Sequence, residues 1–325
     1  MGSSVFLLIK HKVISYQENR YIKTSMNNTL TDNYGRIIKS LRISITKKCN
    51  LNCIYCHQEG EKSKEGREMS PATIARIVTC ATGFGVNKVK FSGGEPLMRG
   101  DFEYIISLLP HLKNISATTN GTLLSTRAAS LADKGLNRVN ISLPSLVKEH
   151  YETITGCAQA FPKVLEGINA AIDAGLTPVK INMVLLKGVN EYEIDDAIKF
   201  IARYDGKVIL QLIELMNFKN ISKFIVDIDS VEKMLESRAS QIKEREMHRR
   251  KKYFIDGVEV ELVRPIDNSK FCASCNRLRV TSSGQLKPCL MRNDNLVDIS
   301  EDATQFEINE LLEKAVKTRE PYYKG

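Results

Sequence analysis

Residues 42–56 read RISITKKCNLNCIYC. The first five alternate in the manner of a short strand, and the next ten cannot continue one: two lysines, then Cys49, Cys53 and Cys56 within eight residues. Three thiols therefore sit just past the C-terminal end of a strand. The same unit recurs downstream. Short apolar or β-branched runs stand at KVKFS (88–92), ISATTN (115–120), RVNISL (138–143), PVKINMVLL (178–186) and KVILQLIEL (207–215). Helical stretches such as SPATIARIVTCAT, DFEYIISLLPHL and FPKVLEGINAAIDAG lie between them, several opened by a capping residue and closed by glycine. Six strand-then-helix units in succession predict an α/β fold with parallel strands, and at this length a barrel or partial barrel is favoured over an open sheet. In such barrels chemistry gathers at the C-terminal strand ends, where CNLNCIYC, GGEP, TTNG and SLPS all fall.

After about residue 217 the alternation stops. A helical stretch (DSVEKMLESRASQIKEREM), a hairpin with an Asp-Gly turn (KKYFIDGVEVELV), three further cysteines and a final helix (TQFEINELLEKAVKT) predict a smaller α+β domain over 217–325. It should pack closely on the 32–216 barrel, since no low-complexity linker intervenes. Residues 1–31 form an N-terminal extension of unclear role, and Met26 would open an alternative chain. The run KEREMHRRKK (243–252) reads as the solvated face and end of a helix.

A 325-residue chain with 42% hydrophobic residues can bury a real core, and nothing in it approaches the roughly 20 apolar residues of a membrane span. The early run VFLLI is too short for a signal-peptide core, so a cytoplasmic protein with no membrane partner is expected. Cytosolic thiols stay reduced, so clustered cysteines suggest metal or catalysis rather than a disulfide framework. Cys80 and Cys157 stand alone and read as small structural thiols. The net charge of +9 permits nucleic acid, an anionic surface or an anionic small molecule without choosing among them.

Three thiolates fall short of a structural zinc site, which wants four ligands, and His57, next to Cys56, is badly placed to close a tetrahedron. A cubane iron–sulfur cluster takes one thiolate per iron, so three cysteines hold three irons and leave the fourth open. Gly93, Gly94 and Glu95 of GGEP follow the second strand; two glycines permit close approach of a ligand, and carbonyls with a carboxylate suit an ammonium group. The motif C-x3-C-x2-C with Tyr55 before the last cysteine, followed by GGEP, resembles the radical S-adenosylmethionine superfamily. The resemblance implies a 4Fe–4S cluster on Cys49, Cys53 and Cys56. It also implies an S-adenosylmethionine pocket drawing on Tyr55, Gly93, Gly94, Glu95, Thr118, Asn120 and Ser142. Catalysis would then run through a 5′-deoxyadenosyl radical with no protein radical.

The second set reads FCASCNRLRVTSSGQLKPCL, giving Cys272, Cys275 and Cys289, again without the fourth ligand a zinc ribbon needs. Arg277 and Arg279 alternate on a predicted strand beside it, so both guanidiniums can face one anion, which suits a phosphorylated substrate. With the first set, this pattern resembles the GTP 3′,8-cyclase family of molybdenum cofactor biosynthesis over roughly residues 32–290. The resemblance implies an incomplete (β/α)6 barrel closed laterally by the second domain, and a second 4Fe–4S cluster on Cys272, Cys275 and Cys289 whose open iron meets the purine of GTP. Arg42, Lys88, Lys90, Lys180, Arg277 and Arg279 match the family's phosphate-binding positions. It further implies a homodimer, an electron donor such as flavodoxin or ferredoxin, and hand-off of product to cyclic pyranopterin monophosphate synthase. Lys180 lies between Val179 and Ile181 in an apolar strand, which is costly unless it faces a polar cavity.

Three positions depart from the family pattern. Pro144 stands where aspartate is common, Gln211 stands where many relatives carry arginine, and the chain ends YYKG rather than in a Gly-Gly tail. Two other readings compete. Another radical S-adenosylmethionine enzyme with an auxiliary cluster, such as a peptide maturase, would usually carry more C-terminal cysteines. A nucleic-acid-binding metalloprotein predicts four-ligand sets and aromatics among its basic residues; with neither present, no nucleic-acid partner is expected.

Overall fold

The computed structural model describes residues 29–61, 67–217, 221–266 and 269–322. Most of the 1–31 extension, Asp267 of the C-terminal pattern and Gly325 thus lie outside the described residues. The six expected strands form β1 (Ser40–Ser44), β2 (Lys88–Ser92), β3 (Asn114–Thr119), β4 (Arg138–Ser142), β5 (Val179–Val184) and β6 (Val208–Ile213). They run parallel in chain order. Between them lie α1 (Pro71–Gly83), α2 (Phe102–Ser107), α3 (Leu124–Asp133), α4 (Lys148–Thr155), α5 (Ala160–Asp173) and α6 (Ile194–Ala202). The helix starts reflect local chemistry. Ser70 accepts the Thr73 N–H at 3.1 Å with Pro71 behind it, so donors that the first turn would leave orphaned are either capped or absent.

The C-terminal part supplies α7 (Ile228–Arg238), β7 (Gln241–Glu244), β8 (Lys251–Ile255), β9 (Val258–Val263), α8 (Ser269–Ala273), β10 (Arg277–Val280), β11 (Gln285–Lys287), β12 (Val297–Asp298) and α9 (Gln305–Lys317). Its strands extend both edges of the parallel sheet. β9 runs parallel to β6 and β10 parallel to β1, giving the order β12-β11-β10-β1-β2-β3-β4-β5-β6-β9-β8-β7. Among the described residues the two ends of this sheet do not pair with each other, which leaves the barrel incomplete. The Asp-Gly hairpin forms as expected, with Asp256 and Gly257 at φ 49° and 81° between β8 and β9.

The run 243–252 is not a helix end. α7 stops at Arg238, and the chain crosses into edge strand β7, a tight turn at 247–249 and β8. His248 and Arg249 take positive φ in that turn, and ladder pairing with β8 replaces the helical bonds.

Alternation along each strand separates a dry face from a polar one. Ile43, Phe91, Ala117, Val139 and Leu210 are fully or almost fully buried against Ile77, Ile105, Leu131, Ile168 and Ile201 of the helices. Phe91 meets Phe102 edge to face at 5.2 Å, and emptying such a site costs about 3–5 kcal/mol. The opposite face is polar. In β5, Val179, Ile181 and Met183 are buried toward the helices while Lys180, Asn182 and Val184 face a cavity. Register then aligns Arg279, Arg42 and Lys90 in one row across β10, β1 and β2, and Thr118, Asn140 and Lys180 in another across β3, β4 and β5. A barrel interior built this way holds a ligand site rather than packed apolar layers. No helix among the described residues is long and apolar enough to cross a membrane.

Candidate active site

A cavity of about 720 Å³ occupies the polar face of the sheet, and both cysteine sets contribute to its wall. The loop after β1 is fixed at several points. The N–H groups of Asn52 and Ile54 donate to the carbonyls of Thr155 and Ile154 at the end of α4, and Cys56 N–H donates to Cys53 O at 3.1 Å in a tight turn. Asn50 exchanges side-chain hydrogen bonds with Asn120 (2.7 Å) and Thr122 (2.9 Å) after β3.

The glycines of GGEP serve this loop. A Cβ on Gly93 would lie 2.2 Å from Thr46 O, and one on Gly94 would lie 2.2 Å from Lys48 O. Their N-terminal neighbourhood is therefore the cysteine-loop backbone, to which Gly94 and Glu95 donate N–H bonds at 2.7 Å, although both glycines also border the cavity. Glu95 differs from the sequence expectation. Its carboxylate is buried behind the cavity wall and accepts from Leu97 N, Thr119 Oγ1 and Asn120 N, so it pins the end of β3 instead of presenting itself to a ligand. Tyr55, Thr118, Asn120 and Ser142 all line the cavity, with Tyr55 also packing beside Ile154, Leu186 and Leu215.

The donor chemistry suits a cluster. Burial pushes the Cys53 thiol up to about 12, and the neighbouring Cys56 and Cys49 add to the shift; Cys49 is raised chiefly by burial. Thiolates that repel one another in a partly dry loop call for bound cationic metal. Among the described residues no three His, Cys, Asp or Glu side chains close on a single ion. Thiols spread around a loop match a cubane, where each binds its own iron, better than one zinc with all donors at about 2.3 Å.

The second set is held from both ends of the chain. Cys275 N–H donates to Cys272 O at 3.1 Å, Arg36 Nη1 donates to Cys272 O at 3.0 Å, and Arg319 Nη2 donates to Cys275 O at 2.9 Å. Asp32, fully buried in its side chain, pairs with both arginines at 2.6 and 2.8 Å. Arg36 also binds the carbonyls of Glu320 and Pro321, bringing Tyr322 to the cavity wall. Nothing in the sequence linked these residues.

All six expected basic residues, Arg42, Lys88, Lys90, Lys180, Arg277 and Arg279, line the same cavity. Arg42 and Arg279 are bridged by Glu59, at 2.6 and 2.7 Å. Burial alone would raise the Glu59 pKa; Arg42 and Arg279, aided by His57 and Arg277, outweigh it and hold the carboxyl at about 2. Lys90 donates to Asn140 Oδ1 at 2.9 Å, while its pKa is pushed far down by burial and by Arg42, Arg277 and Lys180. The only hydrogen-bond acceptor of the Arg277 side chain among the described residues is the sulfur of Met247. Such mutual repulsion defines an anion site.

Sequence reasoning missed Glu59 and the basic run's contribution, since Arg245, His248 and Arg250 also line this wall. Of the departures, Gln211 donates to Glu261 at 2.7 Å and Pro144 O accepts from Asn190 at 2.6 Å.

A parallel β/α half-barrel with three thiols after its first strand defines a radical S-adenosylmethionine enzyme, and comparisons agree. Residues 43–201 match the model of the radical SAM superfamily, and 208–325 match that described as Molybdenum Cofactor Synthesis C. The Streptococcus suis protein SuiB, solved bound to S-adenosylmethionine, shares the fold at TM-score 0.59 and 15% identity over 82% of this chain and 62% of its own. The structure described as native anSMEcpe with bound AdoMet does so at 0.55 and 18% over 85% and 81%. A probable GTP 3′,8-cyclase of Methanosarcina mazei is 58% identical over 90% of both chains, and one of Archaeoglobus fulgidus 46% identical over 91% of this chain and all of its own. The chain belongs to the GTP 3′,8-cyclase family of radical S-adenosylmethionine enzymes.

Proposed function

We propose that the protein is a GTP 3′,8-cyclase, converting GTP to (8S)-3′,8-cyclo-7,8-dihydroguanosine 5′-triphosphate at the first step of molybdenum cofactor synthesis. The observation that carries this reading is one cavity walled by two three-thiol sets, with a row of three cations, Arg279, Arg42 and Lys90, between them that the single carboxylate of Glu59 only partly neutralises. When bound at Cys49, Cys53 and Cys56, a 4Fe–4S cluster with S-adenosylmethionine supplies a 5′-deoxyadenosyl radical.

The chain's own residues do the positioning. Tyr55, Thr118, Asn120 and Ser142 shape the S-adenosylmethionine side, with Gly93 and Gly94 along its edge. Lys88, Lys90, Lys180 and Arg277 hold the triphosphate, joined by Arg42 and Arg279 as Glu59 yields. Cys272, Cys275 and Cys289, which line the same cavity from the chain's C-terminal part, would hold a second cluster able to ligate the substrate. Enclosure by the flanking strands keeps water from a reactive radical. Residues 32–216 serve as the radical-generating barrel and 217–325 as the substrate-binding part. The enzyme works in the cytoplasm as a homodimer, takes electrons from a flavodoxin or ferredoxin, and passes product to a cyclic pyranopterin monophosphate synthase.

The test is anaerobic reconstitution with iron and sulfide, then S-adenosylmethionine, a strong reductant and each of the four nucleoside triphosphates. 5′-Deoxyadenosine with a cyclised product from GTP alone is the expected result. Deoxyadenosine with no nucleotide product would reject this reading in favour of a peptide-modifying relative.

A further inference from the structure

The wall formed by β5, β6 and β9 has only Lys180 among the six cations expected from sequence. Gln211 stands there in the row Asn182, Gln211, Glu261, and its amide is spent on Glu261. Yet Glu261, with no exposed side-chain area, gathers three cations: Lys180 at 2.5 Å, Arg245 at 2.8 Å and Arg250 at 3.5 Å. One carboxylate cannot neutralise three positive charges, and all three cations line the cavity. Arg250 is the least satisfied. Its approach to Glu261 is too long for a hydrogen bond, and among the described residues nothing accepts a bond from its buried Nε. A guanidinium with five donors and so few acceptors is built for a multi-oxygen anion.

Building on the proposed GTP substrate, we propose that Arg250, with Arg245 beside it, binds the polyphosphate of the nucleoside triphosphate. The pair supplies positive charge on a wall where the Gln211 amide is committed to Glu261. Glu261 is their positioning residue: it touches no ligand but fixes both guanidiniums against the wall. The proposed phosphate contact thus comes from the segment between β7 and β8.

The test is equilibrium dialysis of the reconstituted protein against GTP and guanosine, for the natural chain and for Arg250→Gln, Arg245→Gln and Lys252→Gln. Lys252 pairs with Glu259 and lies outside the cavity lining, so its loss should change nothing. Arg250→Gln should weaken GTP binding roughly tenfold or more, as expected for lost hydrogen bonds to a charged group, while guanosine binding holds. Arg245→Gln, at a side chain 31% exposed, should do the same to a smaller extent. If Arg250→Gln melts early, Arg250→Lys carries the test: it keeps the charge, loses the fork, and should still weaken GTP selectively. Variants that bind GTP as tightly as the natural chain, or lose GTP and guanosine in step, would overturn the proposal alone. A natural chain that binds no nucleoside triphosphate would overturn it together with the substrate reading.

Discussion

Glu59 and Arg279, 220 residues apart in sequence, meet at 2.7 Å and tie the first cysteine loop to the strand beside the second. Arg42 holds the other carboxylate oxygen at 2.6 Å, so one acidic side chain spans both halves of the cavity wall.

This bridge has a pH signature. The Glu59 pKa is held at about 2 against an ordinary 4.5, so its stabilisation is complete above pH 4.5 and is lost as pH falls from 4.5 toward 2. Glu59→Gln should cost about 3 kcal/mol at pH 7. Thermal melting of both proteins should show a constant gap from pH 7 to 5 that narrows below 4.5; a gap independent of pH would argue against the bridge.

Gly94→Ala should damage the cysteine loop without touching a cysteine. The added methyl would lie 2.2 Å from Lys48 O and 2.6 Å from Lys47 O, both backbone atoms that cannot turn aside. Iron bound at the first set should drop after reconstitution, with Tm lowered. Full iron content would mean that the loop tolerates displacement.

Asp32→Asn should act at the second set. It leaves Arg36 and Arg319 buried without their shared counter-charge, a loss on the order of 3–5 kcal/mol, and loosens two arginine contacts to the Cys272 and Cys275 carbonyls. With the two cubanes proposed above, iron per chain should fall from about eight toward four. Unchanged iron would show that the clamp is not needed.

Much of this was legible in one dimension because period carries it. RISIT, KVKFS and VKINMV alternate, and alternation both predicts strands and marks Arg42, Lys90 and Lys180 as facing one side. The run 243–252 defeats a sequence reading for a physical reason: β7 is an edge strand exposed at every residue, so no apolar period betrays it, and its charges mimic a helix surface. The pairings of β10 with β1 and of β9 with β6 are long-range, and no local signal announces them. Glu261 was findable in principle. An acid inside the apolar strand VEVELV raises the same question as Lys180 in its own strand, and each answers the other. The GGEP glycines face a partner distant in sequence, so their close approach to residues 46–48 could be seen only in three dimensions.

The division of labour between the two cysteine sets is tested most directly by assaying Cys53→Ala and Cys275→Ala side by side for 5′-deoxyadenosine and nucleotide product. Cys53→Ala should yield neither, while Cys275→Ala should still cleave S-adenosylmethionine slowly and yield no cyclised nucleotide. If two folded variants behave alike, both silent or both making product, the two sets do not share the work as described.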